Sequence, residues 1–126
     1  MSLAPDEQTA AVRVILERYI DAVYHADVEM LRGTFHPSAH MSGYLGDDLL
    51  VGGPEPFFAD VGSRPSMAES GADYKARITS LEVSGRAASA TLEESGFFGS
   101  MRFVNYFVLL AIDGEWQIVA KTFASL

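Results

Sequence analysis

The sequence predicts an α+β fold in which a curved, mostly antiparallel sheet wraps around three N-terminal helices. The two ends of the chain carry this prediction. Pro5 to His25 is amphipathic at helical period, with Val12, Leu16, Tyr19 and Val23 on one stripe and Ile15 and Ile20 beside it. Ser100 to Phe123 is an apolar run, an Asp113-Gly114 turn and a second apolar run that holds Trp116. Both runs are rich in β-branched and aromatic residues, and Asp-Gly supplies the positive φ angles of a tight turn, so this end is a hairpin. Helices first and a strand meander last place the helices on one face of a sheet.

Pro5 suits the first position of helix one, and Asp6 and Glu7 favour the positive end of its dipole. Arg13, Glu17, Arg18 and Asp21 fill the wet side. Asp27 caps a second, shorter helix carrying Met30, Leu31 and Phe35, and His36-Pro37 ends it because the residue before proline avoids the helical region. Ala39 to Tyr44 reads as a short strand, Gly46-Asp47-Asp48 as a turn, and Leu49 to Val51 as the return. Gly53-Pro54 opens a third helix with Phe57, Phe58 and Val61 on its apolar side. Gly62 to Asp73 mixes Gly, Ser and Pro without periodicity and reads as a mobile loop. Tyr74 to Val83 and Ala87 to Glu94 are strands joined at Ser84-Gly85. Ser95-Gly96 and Gly99 then turn the chain into the final hairpin, giving four successive antiparallel strands.

The chain of 126 residues suits a single domain over 1–126 that buries enough surface to fold without a disulfide or metal. It has no cysteine, which excludes thiol catalysis. Its formal charge of −8, from 17 acidic and 9 basic residues, argues against nucleic-acid binding, since an acidic surface repels phosphate. No apolar run is long enough to cross a bilayer and no basic-then-apolar start is present, so no membrane partner and a cytoplasmic location are expected. Met101 to Ile112 and much of Gln117 to Phe123 are apolar on both faces. A strand buried on both sides needs two covers. The helices supply one. The other is a second copy of the sheet in a two-fold homodimer or, alternatively, the closing of the cone upon itself.

Four groups of residues carry a resemblance. Arg18-Tyr19-Ile20, followed eight residues on by Asp27 and then by Phe35 before a short strand, resembles the opening of ketosteroid isomerase. Phe35-His36-Pro37, Asn105-Tyr106-Phe107 and Trp116-Gln117-Ile118-Val119 through Lys121-Thr122-Phe123 resemble the lumazine-binding-like group. Both belong to the nuclear-transport-factor-2-like, cystatin-like α+β superfamily, with scytalone dehydratase and the SnoaL-like polyketide cyclases. The likeness covers nearly the whole chain. It implies a cone with an internal pocket between sheet and helices, and homodimers that pack sheet against sheet.

Tyr19 matches the tyrosine that donates to an oxyanion in ketosteroid isomerase; its other reading is a core residue on the helix stripe. The position of the isomerase base falls on Gly43, which cannot accept a proton, so steroid isomerisation by that machinery is disfavoured. Asp47 and Asp48 lie in a turn that aims them at solvent. Asn105 falls where the isomerase has a second pocket acid. An amide there can hold a carbonyl but cannot act as acid or base; its other reading is a hydrogen bond to a neighbouring side chain within the sheet. With Asn105 inward, the resemblance turns Val119, Lys121 and Phe123 inward too. A pocket lysine could bind an anion or form an imine, although lysines are rarely buried and the stem can snorkel to the rim. His36 and His40 are four apart, but Pro37 breaks any helix between them, so no metal is expected; strand alternation with Gly43 also points His40 away from the pocket. Arg102 sits in the final hairpin as a pairing residue, and Trp116 as a core or interface anchor.

The expected function is the binding of a small aromatic or polycyclic molecule in a mostly apolar pocket formed by Tyr19, Met41, Gly43, Phe57, Phe103, Asn105, Val119, Lys121 and Phe123, without a cofactor. The first alternative is a cofactor-free lyase, isomerase or cyclase, in which Tyr19 and Asn105 polarise a carbonyl and Lys121 or His40 moves protons. The second is a dimerisation or interaction module whose interior is filled by side chains such as Met41, Phe57 and Phe103.

Overall fold

The computed structural model describes residues 5–126. In chain order its elements are α1 (Pro5–His25), α2 (Val28–Gly33), β1 (Phe35–Leu45), β2 (Asp48–Gly52), α3 (Glu55–Gly62), α4 (Met67–Ser70), β3 (Lys75–Ser84), β4 (Ala87–Phe97), β5 (Met101–Ile112) and β6 (Glu115–Ser125). The strands form one curved, unclosed sheet of order β2-β1-β6-β5-β4-β3. Only β1 and β6 run parallel; every other neighbouring pair is antiparallel. Four register breaks, one in each of the pairs β1–β6, β3–β4, β4–β5 and β5–β6, bend the strands. This curvature lets the concave face surround α1.

The helix stripe is the core. Val12, Leu16, Tyr19, Ala22 and Val23 are wholly buried, against Leu92, Phe107, Leu109 and Ile118 from the sheet. Burial of each such aliphatic or aromatic side chain contributes about 1.5–3 kcal/mol, which is why a helix whose other face is charged stays docked. Asp27 caps α2 by accepting from the Met30 amide at 3.1 Å.

Several expectations need correction. Phe35 does not belong to α2. The Thr34 hydroxyl donates to the Leu31 carbonyl at 2.7 Å and the Ile118 amide donates to the Thr34 carbonyl at 2.8 Å, so the chain passes directly into β1. Phe35 is then buried beside Phe58 and Tyr19, with centroids 5.2 and 6.2 Å apart. Pro37 is tolerated in β1 because it falls in the register break between Phe35 and His40, where no ladder donor is needed. The segment Gly62 to Asp73 contains a fourth helix, α4. The Ser66 hydroxyl accepts from the Glu69 amide at 3.1 Å, and left-handed Gly71 closes the other end. β4 runs on to Phe97 through a bulge at Ser95-Gly96. Only glycine fits at Gly96, since a Cβ there would stand 2.1 Å from the Asp73 carbonyl oxygen. No helix among the described residues is long and apolar enough to cross a membrane.

Candidate functional site

A cavity of about 450 Å³ opens between the concave face, α3 and the β1–β2 hairpin. Met41, Phe57, Phe97, Met101, Phe103 and Phe123 form its apolar walls, and Leu45, Leu49, Leu50 and Val51 of the hairpin form much of its rim. Five polar side chains reach it: Glu94, Asn105 and Lys121 within, and Asp60 and Arg64 from α3 and its exit. Arg64 donates twice to Asp60, at 3.0 and 2.8 Å, and lies 4.0 Å above the Phe98 ring. That cation is therefore already neutralised and held in place.

Lys121 is 4% exposed. Its Nζ donates to the Tyr19 hydroxyl at 2.7 Å and sits 4.0 Å from the Phe57 ring centre, with the Tyr19 and Phe123 rings at 5.2 and 5.5 Å. Ring faces attract a cation but do not replace a counter-charge. Among the described residues, no carboxylate comes within the 4.0 Å of an ion pair. Burial accordingly lowers its pKa to about 8, with the charge of Glu94 opposing the shift. Tyr19 is pushed the other way, well above the usual phenol range, first by burial and then by the negative potential of Glu94 and Tyr74.

Glu94 is buried and held on both oxygens. Oε1 accepts from Asn105 Nδ2 at 2.6 Å and Oε2 from the Tyr74 hydroxyl at 2.5 Å. Burial, and then Glu94 itself, raises the Tyr74 phenol far above its ordinary value. Asn105 Nδ2 also donates to the Leu92 carbonyl at 3.3 Å. With both amide hydrogens drawn to acceptors, Oδ1 is the part of Asn105 left to meet a ligand. The cavity thus offers donors at Lys121 and acceptors at Glu94 and Asn105 within an apolar shell.

The structure brings Met41, Phe57, Phe103, Asn105, Lys121 and Phe123 to the wall and leaves three expected pocket residues, Tyr19, Val119 and Gly43, off it. Tyr19 is wholly buried behind Lys121 and Phe57 and reaches the cavity only through the Lys121 amine. Val119 falls at the break between Ile118 and Ala120, where one extra residue in β6 resets the alternation, so Ile118 and Lys121 face inward and Val119 does not. Gly43 is covered by Phe123: a Cβ there would lie 2.1 Å from the Phe123 carbonyl oxygen. His40 is exposed and away from the cavity. His36 Nδ1 accepts from the Ser38 amide at 3.0 Å, and among the described residues no group of three His, Cys, Asp or Glu could hold a metal. Glu94 was missed. Its signal lay in β4, where Ala88, Ala90 and Leu92 alternate inward and carry the period on to Glu94.

The model of the family described as "Putative lumazine-binding" matches residues 7–124. The chain belongs to this lumazine-binding-like family. Solved structures agree with the membership. An NTF2-like protein of unknown function from Shewanella baltica OS155 is 26% identical, with a TM-score of 0.87 over 99% of this chain and 98% of that one. One from Silicibacter pomeroyi DSS-3, also of unknown function, is 25% identical, with a TM-score of 0.87 over 98% and 100%. A ketosteroid isomerase-like protein from Erwinia carotovora atroseptica is 16% identical, with a TM-score of 0.69 over 95% and 97%, and so shares the fold alone. No curated protein matches the sequence. Within this lumazine-binding-like cone, Gly43, which the resemblance alone set at the isomerase base position, lies against Phe123.

Proposed function

We propose that the chain is a small-molecule-binding domain whose ligand is an aromatic or polycyclic compound bearing a hydrogen-bond acceptor. One observation carries this reading: the Lys121 ammonium, buried at the edge of a cavity of about 450 Å³, spends one of its three donors on Tyr19 and has no acid in contact among the described residues. A buried polar group left short of partners is costly, so a ligand acceptor there gains what the protein does not provide. Flat apolar rings fit between Phe57, Phe103 and Phe123, while Glu94 and Asn105 Oδ1 receive any donor the ligand carries.

A thermal-shift and calorimetric screen of aromatic acids, phenols and ketones tests this reading. Ligands that raise the melting temperature of the wild type are expected to lose the effect in Lys121→Met and Asn105→Ala, each compared with its own unliganded state. No ligand, or ligands indifferent to both changes, counts against the reading.

A second reading is favoured by the presence of two ionisable groups, Lys121 and Glu94, in one cavity: a cofactor-free lyase, isomerase or cyclase in which they exchange protons with a carbonyl substrate. Deuterium exchange at the α-carbon of bound ketones, lost in Glu94→Gln, distinguishes it from binding alone. We further propose that the chain acts as a homodimer through the outer face of β5 and β6, where Tyr106, Val108 and Leu110 are 55%, 44% and 38% exposed.

A further inference from the structure

We propose that Lys121 forms a reversible imine with an aromatic or polycyclic aldehyde or ketone in the cavity, so that the chain captures carbonyl compounds covalently. This rests on the small-molecule reading above and narrows its ligand class. Four features of the site support it. First, the amine is buried but meets the cavity, so a carbonyl carbon can reach Nζ while bulk water is largely kept away. Second, no carboxylate pins Nζ as an ammonium within ion-pair distance among the described residues. Third, the Tyr19 oxygen holds one N–H at 2.7 Å, which orients the nitrogen and leaves its remaining positions for the ligand. Fourth, the Phe57 ring 4.0 Å from Nζ and the nearby Phe123 ring provide flat walls for an aryl group attached to the reacting carbon.

The chemistry balances without a redox partner. The neutral amine adds to the carbonyl carbon, forming a C–N bond as the C=O π pair moves to oxygen. A proton passes from nitrogen to that oxygen, giving a carbinolamine. Its hydroxyl takes up a second proton and leaves as water while the nitrogen lone pair forms C=N, and nitrogen then gives up its remaining proton. Amine and carbonyl become imine and water, and hydrolysis reverses each step. Glu94, in the same cavity, can relay the protons between nitrogen and oxygen. The lowered proton affinity of Lys121 supports this by supplying the neutral amine near pH 8.

The chain contains its own control, because its only other lysine is Lys75, exposed and 3.8 Å from Asp73. The experiment is reductive trapping of native protein with 2-naphthaldehyde and cyanoborohydride at about pH 8, the Lys121 value, followed by peptide mapping. Exposed Lys75 has no cavity to hold the aldehyde against its amine, so at least about tenfold more adduct is expected on Lys121 than on Lys75. The preference should vanish when trapping is repeated in urea. Equal labelling of the two lysines in the native protein, or preference for Lys75, overturns the imine. A parallel melt with 2-naphthoic acid and 2-naphthalenemethanol separates the two levels of the argument. If these bind while Lys121 is not trapped, the imine falls and the binding reading stands. If neither they nor the aldehyde bind, both fall.

Discussion

At the scale of single residues, the pair Lys121–Tyr19 sets a measurable pH dependence. In the folded chain Lys121 has a pKa of about 8, whereas an unfolded lysine lies near 10.4. Below about pH 8 both states hold the proton, and the fold bears the full cost of a buried charge. Between the two values the unfolded chain binds more protons than the folded one, so stability rises with pH. Tyr19 and Tyr74 act in the opposite sense: their raised values keep protons that unfolded tyrosines lose above about pH 10, so stability falls there. Urea titrations should therefore show a gain on the order of 2 kcal/mol from about pH 7 to 9.5, and Lys121→Met should abolish most of it. Glu94 faces the same amine from across the cavity, and its removal has a separate signature. Glu94→Ala deprives Asn105 and Tyr74 of their shared acceptor and is expected to cost on the order of 2–4 kcal/mol, with Glu94→Gln costing less. The resemblance pointed Asn105 and Lys121 toward a pocket, but residue type left Lys121 able to snorkel to the rim, and alternation in β6 misplaced Val119. Glu94 obeys the alternation of β4, but a carboxylate at the end of a strand looks like a surface residue until its two donors, Asn105 and Tyr74, are seen to converge from β5 and from the residue just before β3.

At the scale of elements, periodic stretches were readable and irregular ones were not. α1 and the β5–β6 hairpin follow from period and turn chemistry alone. The one-turn helix α4 was hidden by Gly, Ser and Pro around it, although Ser66 and Glu69 stand at capping-box spacing. Met67 of that turn is wholly buried and its sulfur accepts from the Phe98 amide at 3.2 Å, so the turn anchors the bulged end of β4 beside the cavity. Ser66→Ala is expected to cost about 1 kcal/mol, read as a lower denaturation midpoint, with the protease sensitivity of the α3–β3 segment rising more than that of α1. The bulge at Val119 was illegible for a different reason. It is a property of the pairing between two strands, and no single strand's pattern records it. The contact between β1 and β6 gives a sharper test of how far the isomerase analogy extends. Gly43→Asp restores the missing acid in name, but its Cβ would lie 2.1 Å from the Phe123 carbonyl oxygen. The variant should unfold at lower denaturant concentration and gain no isomerase activity. A stable Gly43→Asp protein that moves protons on a ketone would show that β1 can shift away from β6.

At the scale of the whole molecule, the question is what covers the outer face of the sheet. The sequence left two covers open, a second copy or a cone closed upon itself. The sheet is unclosed, with β2 and β3 at its edges, so the chain does not close its own outer face. α1 packs on the concave face, and the opposite side of β5 keeps Val104, Tyr106, Val108 and Leu110 in a row. Across β6 this row meets Ala124, Thr122, Ala120 and Gln117, and across β4 Glu93 stands opposite Val104. In a chain of net charge −8, this apolar row is the part of the outer face that the proposed second copy would cover. A lysine at Val108 would then face its own symmetry mate or an apolar wall and lose hydration on pairing. Sedimentation equilibrium of the wild type should give twice the chain mass of 13.7 kDa, with a melting temperature that rises with protein concentration. Val108→Lys should sediment as a monomer, its melting temperature independent of concentration. The cavity opens on the other side of the sheet, so ligand shifts measured in that monomer should persist. A wild type that remains monomeric at high micromolar concentration would assign the row to some other partner or to none.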